Sequence, residues 1–133
     1  MATGELVLVD TCTWAPFFNR PHSREKQAVD LPLDEDRAAL TGPILAEVLL
    51  GFRRDAQADG VASELRGLHF LQTTWDHWRA AARIGRELMA NGHVLPLSDF
   101  AIADVALERG LAVYSTDPHF DLIAGLKRYA PKL

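Results

Sequence analysis

Four carboxylates stand where a structural side chain would ordinarily be apolar or a simple cap: Asp10, Glu47, Asp99 and Asp117. Asp10 directly follows the apolar run Leu6–Val9, and Asp117 comes three residues after the run Leu111–Tyr114. Glu47 lies among Ile44, Leu45, Val48 and Leu49, and Asp99 opens a segment whose next turns are nearly all apolar. With 18 acidic residues in 133, one aspartate says little. Taken singly, Asp99 reads as a helix-start acid, Asp117 as a turn residue, Asp10 as a partner of the following helix, and Glu47 as a partner of Arg53 or Arg54. Together they favour convergence on one site, because a buried carboxylate is ordinarily paired, hydrogen-bonded or metal-bound. An all-oxygen donor set suits Mg2+, with Mn2+ as the alternative, rather than structural zinc. Such an ion retains waters and leaves room for a phosphate oxygen and an attacking water. The chemistry implied is metal-assisted phosphodiester hydrolysis.

Short apolar runs at residues 6–9, 38–41, 70–73 and 111–114 read as strands, and residues 127–133 as an added edge strand. Between them fall helical patterns. One follows Asp10, capped by Thr11 or Thr13, with Trp14, Phe17 and Phe18 at helical spacing. A second has Pro43 at its first position, and a third spans Gln57–Leu68. The longest, Trp75–Met89, packs through Trp78, Ala81, Ala82, Ile84, Gly85 and Leu88 and stops at Asn91-Gly92. The last is capped by Ser98 and ends at Gly110. Residues 21–36 carry two prolines and read as a helix or helical turn plus loop, with Asp34-Glu35-Asp36 starting a short helix. Alternating strands and helices predict an α/β fold with a mainly parallel sheet. Ligands of such sheets bind outside the carboxyl ends of the strands, where Asp10 and Asp117 fall.

The chain is long enough for one domain, residues 1–133, and is 48% hydrophobic and 24% charged, the balance of a soluble globular protein. Cys12 is the single cysteine, so there is neither an internal disulfide nor a multi-cysteine zinc site, in keeping with a reducing cytoplasm. Glu5 and Asp10 interrupt the N-terminal apolar stretch, which does not read as a signal peptide, and Glu47 breaks the next one; no membrane segment is expected. The net charge of -4 argues mildly against a general nucleic-acid binder, unless a cation neutralises the clustered acids and leaves basic residues dominant nearby.

Four segments resemble the PIN-domain family, specifically VapC-type toxins of bacterial toxin–antitoxin pairs. They are Val9-Asp10-Thr11-Cys12-Thr13-Trp14, the stretch from Thr41 to Gly51 around Glu47, the stretch from Leu97 to Ala106 around Asp99, and Tyr114-Ser115-Thr116-Asp117-Pro118-His119-Phe120. Their order and spacing over nearly the whole chain carry the resemblance. It implies a three-layer α/β/α sandwich with a parallel sheet, endoribonuclease activity on RNA, a cognate VapB-like antitoxin that blocks the acidic pocket, and a homodimer. It also implies that Asp10 and Asp99 are the main metal ligands, that Asp117 binds metal directly or through water, and that Glu47 orients water or completes the shell. Thr116 and Thr11 would hydrogen-bond the carboxylates or a water from behind. The chain departs from the family at Cys12, where serine is common, and at Pro32, where a helix usually continues.

Other readings weigh less. Haloacid-dehalogenase-like phosphatases need a second aspartate two residues after the first, where Cys12 stands, and no glycine-rich loop supports nucleotide binding. The alternative of another class is a non-catalytic PIN-like module that binds RNA or protein, which the presence of all four acids disfavours. His119 could touch a substrate phosphate, although packing beside Phe120 or exposure is the commoner fate of such a residue. His22, His69, His77 and His93 show no paired metal spacing and read as solvated. Trp14, Phe17, Phe18, Trp75 and Trp78 read as core or dimer surface, and Arg53, Arg54, Arg79, Arg83 and Arg86 as solvated helix faces. Asp104 is expected on a solvated face and Asp121 at the rim of the site.

Overall fold

A computed structural model describes residues 5–131. In chain order the elements are β1 (Val7–Val9), α1 (Thr11–Asn19), α2 (Arg24–Asp34), β2 (Ala38–Thr41), α3 (Gly42–Leu50), α4 (Asp55–Leu65), β3 (His69–Leu71), α5 (Trp75–Ala90), α6 (Leu97–Arg109), β4 (Ala112–Tyr114), a 3-10 turn (Pro118–Leu122) and β5 (Lys127–Arg128). The five strands pair in the order β3-β2-β1-β4-β5, and every pairing is parallel. Parallel sheets must be covered on both faces, which explains why β1 and β2 are buried at every residue. The result is the expected α/β/α sandwich. Among the described residues, no helix is long and apolar enough to cross a membrane.

The strand order sets the site. From central β1 the chain moves to β2 on one side, and later returns to β4 on the other. The carboxyl ends of β1 and β4 therefore flank the point where the winding reverses, which is where open parallel sheets leave a crevice. The edge strand expected over residues 127–133 is confined to Lys127 and Arg128; Lys132 and Leu133 lie outside the described residues.

Three local expectations are corrected. Asp34-Glu35-Asp36 ends a helix instead of starting one. Ser23 caps α2 by accepting from the Lys26 backbone N–H at 3.1 Å, and Ala28, Val29 and Pro32 form its buried face. Packing of that face carries the helix through Pro32, and Asp36 then turns the chain with φ 56° in the left-handed region, which Asp tolerates. Ser98 does not cap α6, whose N-cap is Pro96. His77 is not solvated: it is buried, its Nδ1 accepts from the Thr74 backbone N–H at 2.9 Å, and its Nε2 meets Glu108. His69 is part-buried and contacts Asp36.

Trp14 is core, whereas Trp75 and Trp78 are exposed, as is Ala82 on the packing face proposed for α5. Asp104 is half-buried, and burial is the first cause raising its pKa. The arginines of α5 and Arg53-Arg54 are exposed. Helices α5 and α6 run antiparallel, since His77 near the start of α5 meets Glu108 near the end of α6, while Gly85 meets Phe100 in the first turn of α6. That second contact is close: a Cβ at Gly85 would stand 2.9 Å from Cε2 of the buried Phe100. Gly85→Val should accordingly destabilise the fold by about 1–3 kcal/mol through overpacking, read as a lower midpoint in urea unfolding.

Candidate metal and nuclease site

Each acid is delivered by a different element. Asp10 follows β1 as the N-cap of α1, Glu47 lies midway along α3, Asp99 in the first turn of α6, and Asp117 caps the 3-10 turn after β4. The apolar runs that bury β1 and β4 bring the first and last of these to adjacent strand ends, since Val9 pairs with Tyr114. Asp10 is 5% and Asp99 8% exposed, so both are deep for carboxylates.

Hydroxyl groups hold this negative charge in place. Asp10 Oδ2 accepts from Ser115 Oγ at 2.8 Å and from Cys12 Sγ at 3.3 Å. Ser115 Oγ also accepts the Asp117 backbone N–H at 3.0 Å, so one hydroxyl ties the acid after β1 to the acid after β4. Glu47 is gripped at both oxygens: Thr11 Oγ1 donates to Oε1 at 2.9 Å and Ser98 Oγ to Oε2 at 3.1 Å. Its carboxylate thus joins the starts of α1 and α6, and Arg53 and Arg54 are not its partners. Thr11 does meet a carboxylate. Thr116 Oγ1 lies 3.4 Å from Cys12 Sγ, and Ser115 is the hydroxyl of this segment that meets the Asp10 carboxylate.

Electrostatics register the crowding. Burial is the main cause raising the Asp10 pKa, with the Glu47 charge adding to it and the Ser115 hydrogen bond opposing it. Burial likewise raises that of Asp99, and the Asp10 and Asp117 charges push the same way against the His119 hydrogen bond. Among the described residues, one ligand atom each from Asp99, Asp117 and His119 lie within 4.8 Å of one another. Asp10 adjoins this trio without belonging to it. A clustered set of carboxylates with one imidazole fits a divalent cation, whose charge would relieve their repulsion. A separate cavity of about 520 Å3, lined by Leu40, Leu45, Leu65 and Phe70 among others, holds none of the four acids.

Sequence reasoning missed Ser115 and Arg128, and it weighed His119 only as a phosphate contact, whereas its ring meets Asp99 and Asp117. Arg128 on β5 donates to the Ser115 carbonyl at 2.8 Å and pairs with Asp121, thereby clamping the turn that carries Asp117 and His119. Asp121 is thus exposed and occupied by an arginine. Hydroxyl-rich spacing after β4 was the one local signal for Ser115; nothing local marks Arg128.

The fold and site together define an α/β protein with an open parallel sheet and acids gathered at its winding reversal. The PIN domain family model matches residues 7–126, and the chain belongs to that family. No curated protein matches it by sequence. Among solved structures, it is similar to VapBC2 from Rickettsia felis bound to a DNA fragment from its promoter, with 16% identity, TM-score 0.79, and coverage of 93% of this chain and 97% of that one. It is also similar to DNA-bound VapBC from Salmonella typhimurium, at 21% identity and TM-score 0.76 over 95% and 98% of the two chains. Mycobacterium tuberculosis VapC20, a sarcin–ricin loop cleaving toxin, aligns at 20% identity and TM-score 0.72 over 94% and 99%. These likenesses establish the fold.

Proposed function

We propose that this chain is a metal-dependent endoribonuclease acting as the toxin of a toxin–antitoxin pair. The observation that carries the reading is the gathering of Asp10, Asp99 and Asp117 at the β1/β4 reversal beside a Glu47 held at both oxygens. PIN-family membership and the fold shared with a sarcin–ricin loop cleaving toxin support RNA as the substrate.

Asp99 and Asp117 would hold Mg2+, or Mn2+, with Asp10 completing the acidic wall. When bound, the cation supplies charge neutralisation at the phosphodiester and a lowered pKa for an attacking water. Glu47, fixed by Thr11 and Ser98, would orient an attacking water and accept its proton. Ser115 keeps Asp10 from swinging away, and its bond to the Asp117 backbone holds the two acids in register.

Purified protein incubated with total RNA should cut in Mg2+ and not in EDTA, leaving 5′-phosphate and 3′-hydroxyl ends. Cyclic phosphate ends would mean attack by the RNA 2′-hydroxyl and would overturn the water mechanism. Binding of RNA with no metal-dependent cleavage would favour the non-catalytic module.

The partner reading extends to a VapB-like antitoxin, which the toxin–antitoxin complex from Klebsiella pneumoniae with the same fold supports, and to a homodimer, which the family resemblance implies. An antitoxin tail would lay apolar residues along the toxin and bring a basic side chain to the acids. Trp14 is buried and unavailable to it; of the aromatic set, Phe17 and Phe18 retain exposed surface. Co-expression with a small protein encoded just upstream should yield a stable stoichiometric complex with little ribonuclease activity. A fully active complex would count against this partner.

A further inference from the structure

We infer that His119 is itself a ligand of the cation, through Nδ1, and that this nitrogen shifts the site's preference away from Mg2+ toward first-row transition ions such as Mn2+. The inference rests on the metal-site reading above and deepens it. Nδ1 lies 2.9 Å from Asp99 Oδ2 and 3.2 Å from Asp117 Oδ1. Adjacent donors around an octahedral cation with bonds of about 2.1 Å are separated by about 3.0 Å. The imidazole nitrogen therefore already sits at the spacing of a neighbouring ligand to both carboxylates.

Its placement is built into the turn. The His119 backbone N–H donates to Asp117 Oδ1 at 2.9 Å, which fixes the two residues relative to each other. Phe120, 1% exposed, anchors the next residue in the core. Arg128 holds both ends of the segment through the Ser115 carbonyl and Asp121. The ring is thus presented to the acids by a braced turn and keeps 37% side-chain exposure.

The chemical consequence follows from donor type. Mg2+ is hard and strongly prefers oxygen, whereas first-row transition ions accept imidazole nitrogen more readily. Replacing one oxygen of the shell by Nδ1 penalises Mg2+ more than Mn2+. Loss of the ring should narrow the gap between the two ions.

The test uses the purified full chain loaded with Mn2+, read by electron spin-echo modulation, together with calorimetric affinities for Mn2+ and Mg2+. Wild type should show nitrogen-14 modulation of a directly bound imidazole. In His119→Gln that modulation should vanish, and the ratio of Mn2+ to Mg2+ affinity should fall about 10-fold. Asp99→Asn locates the ion by weakening both metals. Mn2+ binding that depends on Asp99 but shows no nitrogen modulation in wild type would overturn the His119 assignment alone. No Asp99-dependent Mn2+ binding would overturn both the assignment and the metal-site reading. The wild-type spectrum decides the matter even if the variant does not fold.

Discussion

Asp10→Asn and Asp99→Asn should each lower RNA cleavage to below about one-hundredth of wild type while the protein remains folded. Loss of an outer hydrogen-bond partner of a metal ligand typically costs 10–100-fold, so loss of charge on an acid of the site itself should exceed that range. Asparagine keeps the shape and one oxygen, so Ser115 can still donate at position 10. Survival of the fold follows from the same crowding that makes the site useful. Both carboxyls are held above their ordinary range by burial, so their ionised forms disfavour the metal-free fold. That penalty is present in full above the raised folded-state pKa and disappears as pH falls below the ordinary carboxylate range. At neutral pH in EDTA the variants should therefore melt no lower than wild type. Matched cleavage assays and melting curves check both halves of the prediction. Full activity in either purified variant would remove that residue from the site.

Trp14→Ala should destabilise the protein by about 3–5 kcal/mol, a large part of the roughly 5–15 kcal/mol typical of a domain. Trp14 is 1% exposed, and its Nε1 donates to the Val9 carbonyl at 3.1 Å. Its ring stacks on Phe18 at 5.8 Å and meets Phe17 edge-on at 5.2 Å. Truncation opens a cavity beneath α1 and leaves that carbonyl without its partner. Val9 immediately precedes Asp10, so the damage reaches the site as well as the core. Trp14→Phe separates the two contributions, because it fills most of the space but loses the N–H; it should cost about 1–3 kcal/mol. Urea unfolding of the three proteins measures the series. A loss below about 1 kcal/mol in the alanine variant would mean that Phe17 and Phe18 collapse into the gap.

The sequence alone determined the layering and the placement of the acids along the elements, because those signals are local. An apolar run followed by Asp10, an acid inside the apolar stretch around Val48, and an acid opening the Ile102 helix are each readable within a few residues. Local signals failed where a contact decided the outcome. Helix α2 runs through Pro32 because its buried face is held by the core, which propensity at a proline argues against. Ser98 abandons the cap for Glu47, 51 residues earlier, and His77 is buried because Glu108 lies across the α5/α6 packing. The tertiary structure alone decided which side chains meet the acids. Ser115 reaches Asp10 across 105 residues only because β1 and β4 lie side by side in the sheet. His119 reaches Asp99 because the 3-10 turn, clamped by Arg128, folds toward the start of α6. Strand neighbours and turn direction are set by burial of the whole sheet, a sum over many residues that no short segment encodes.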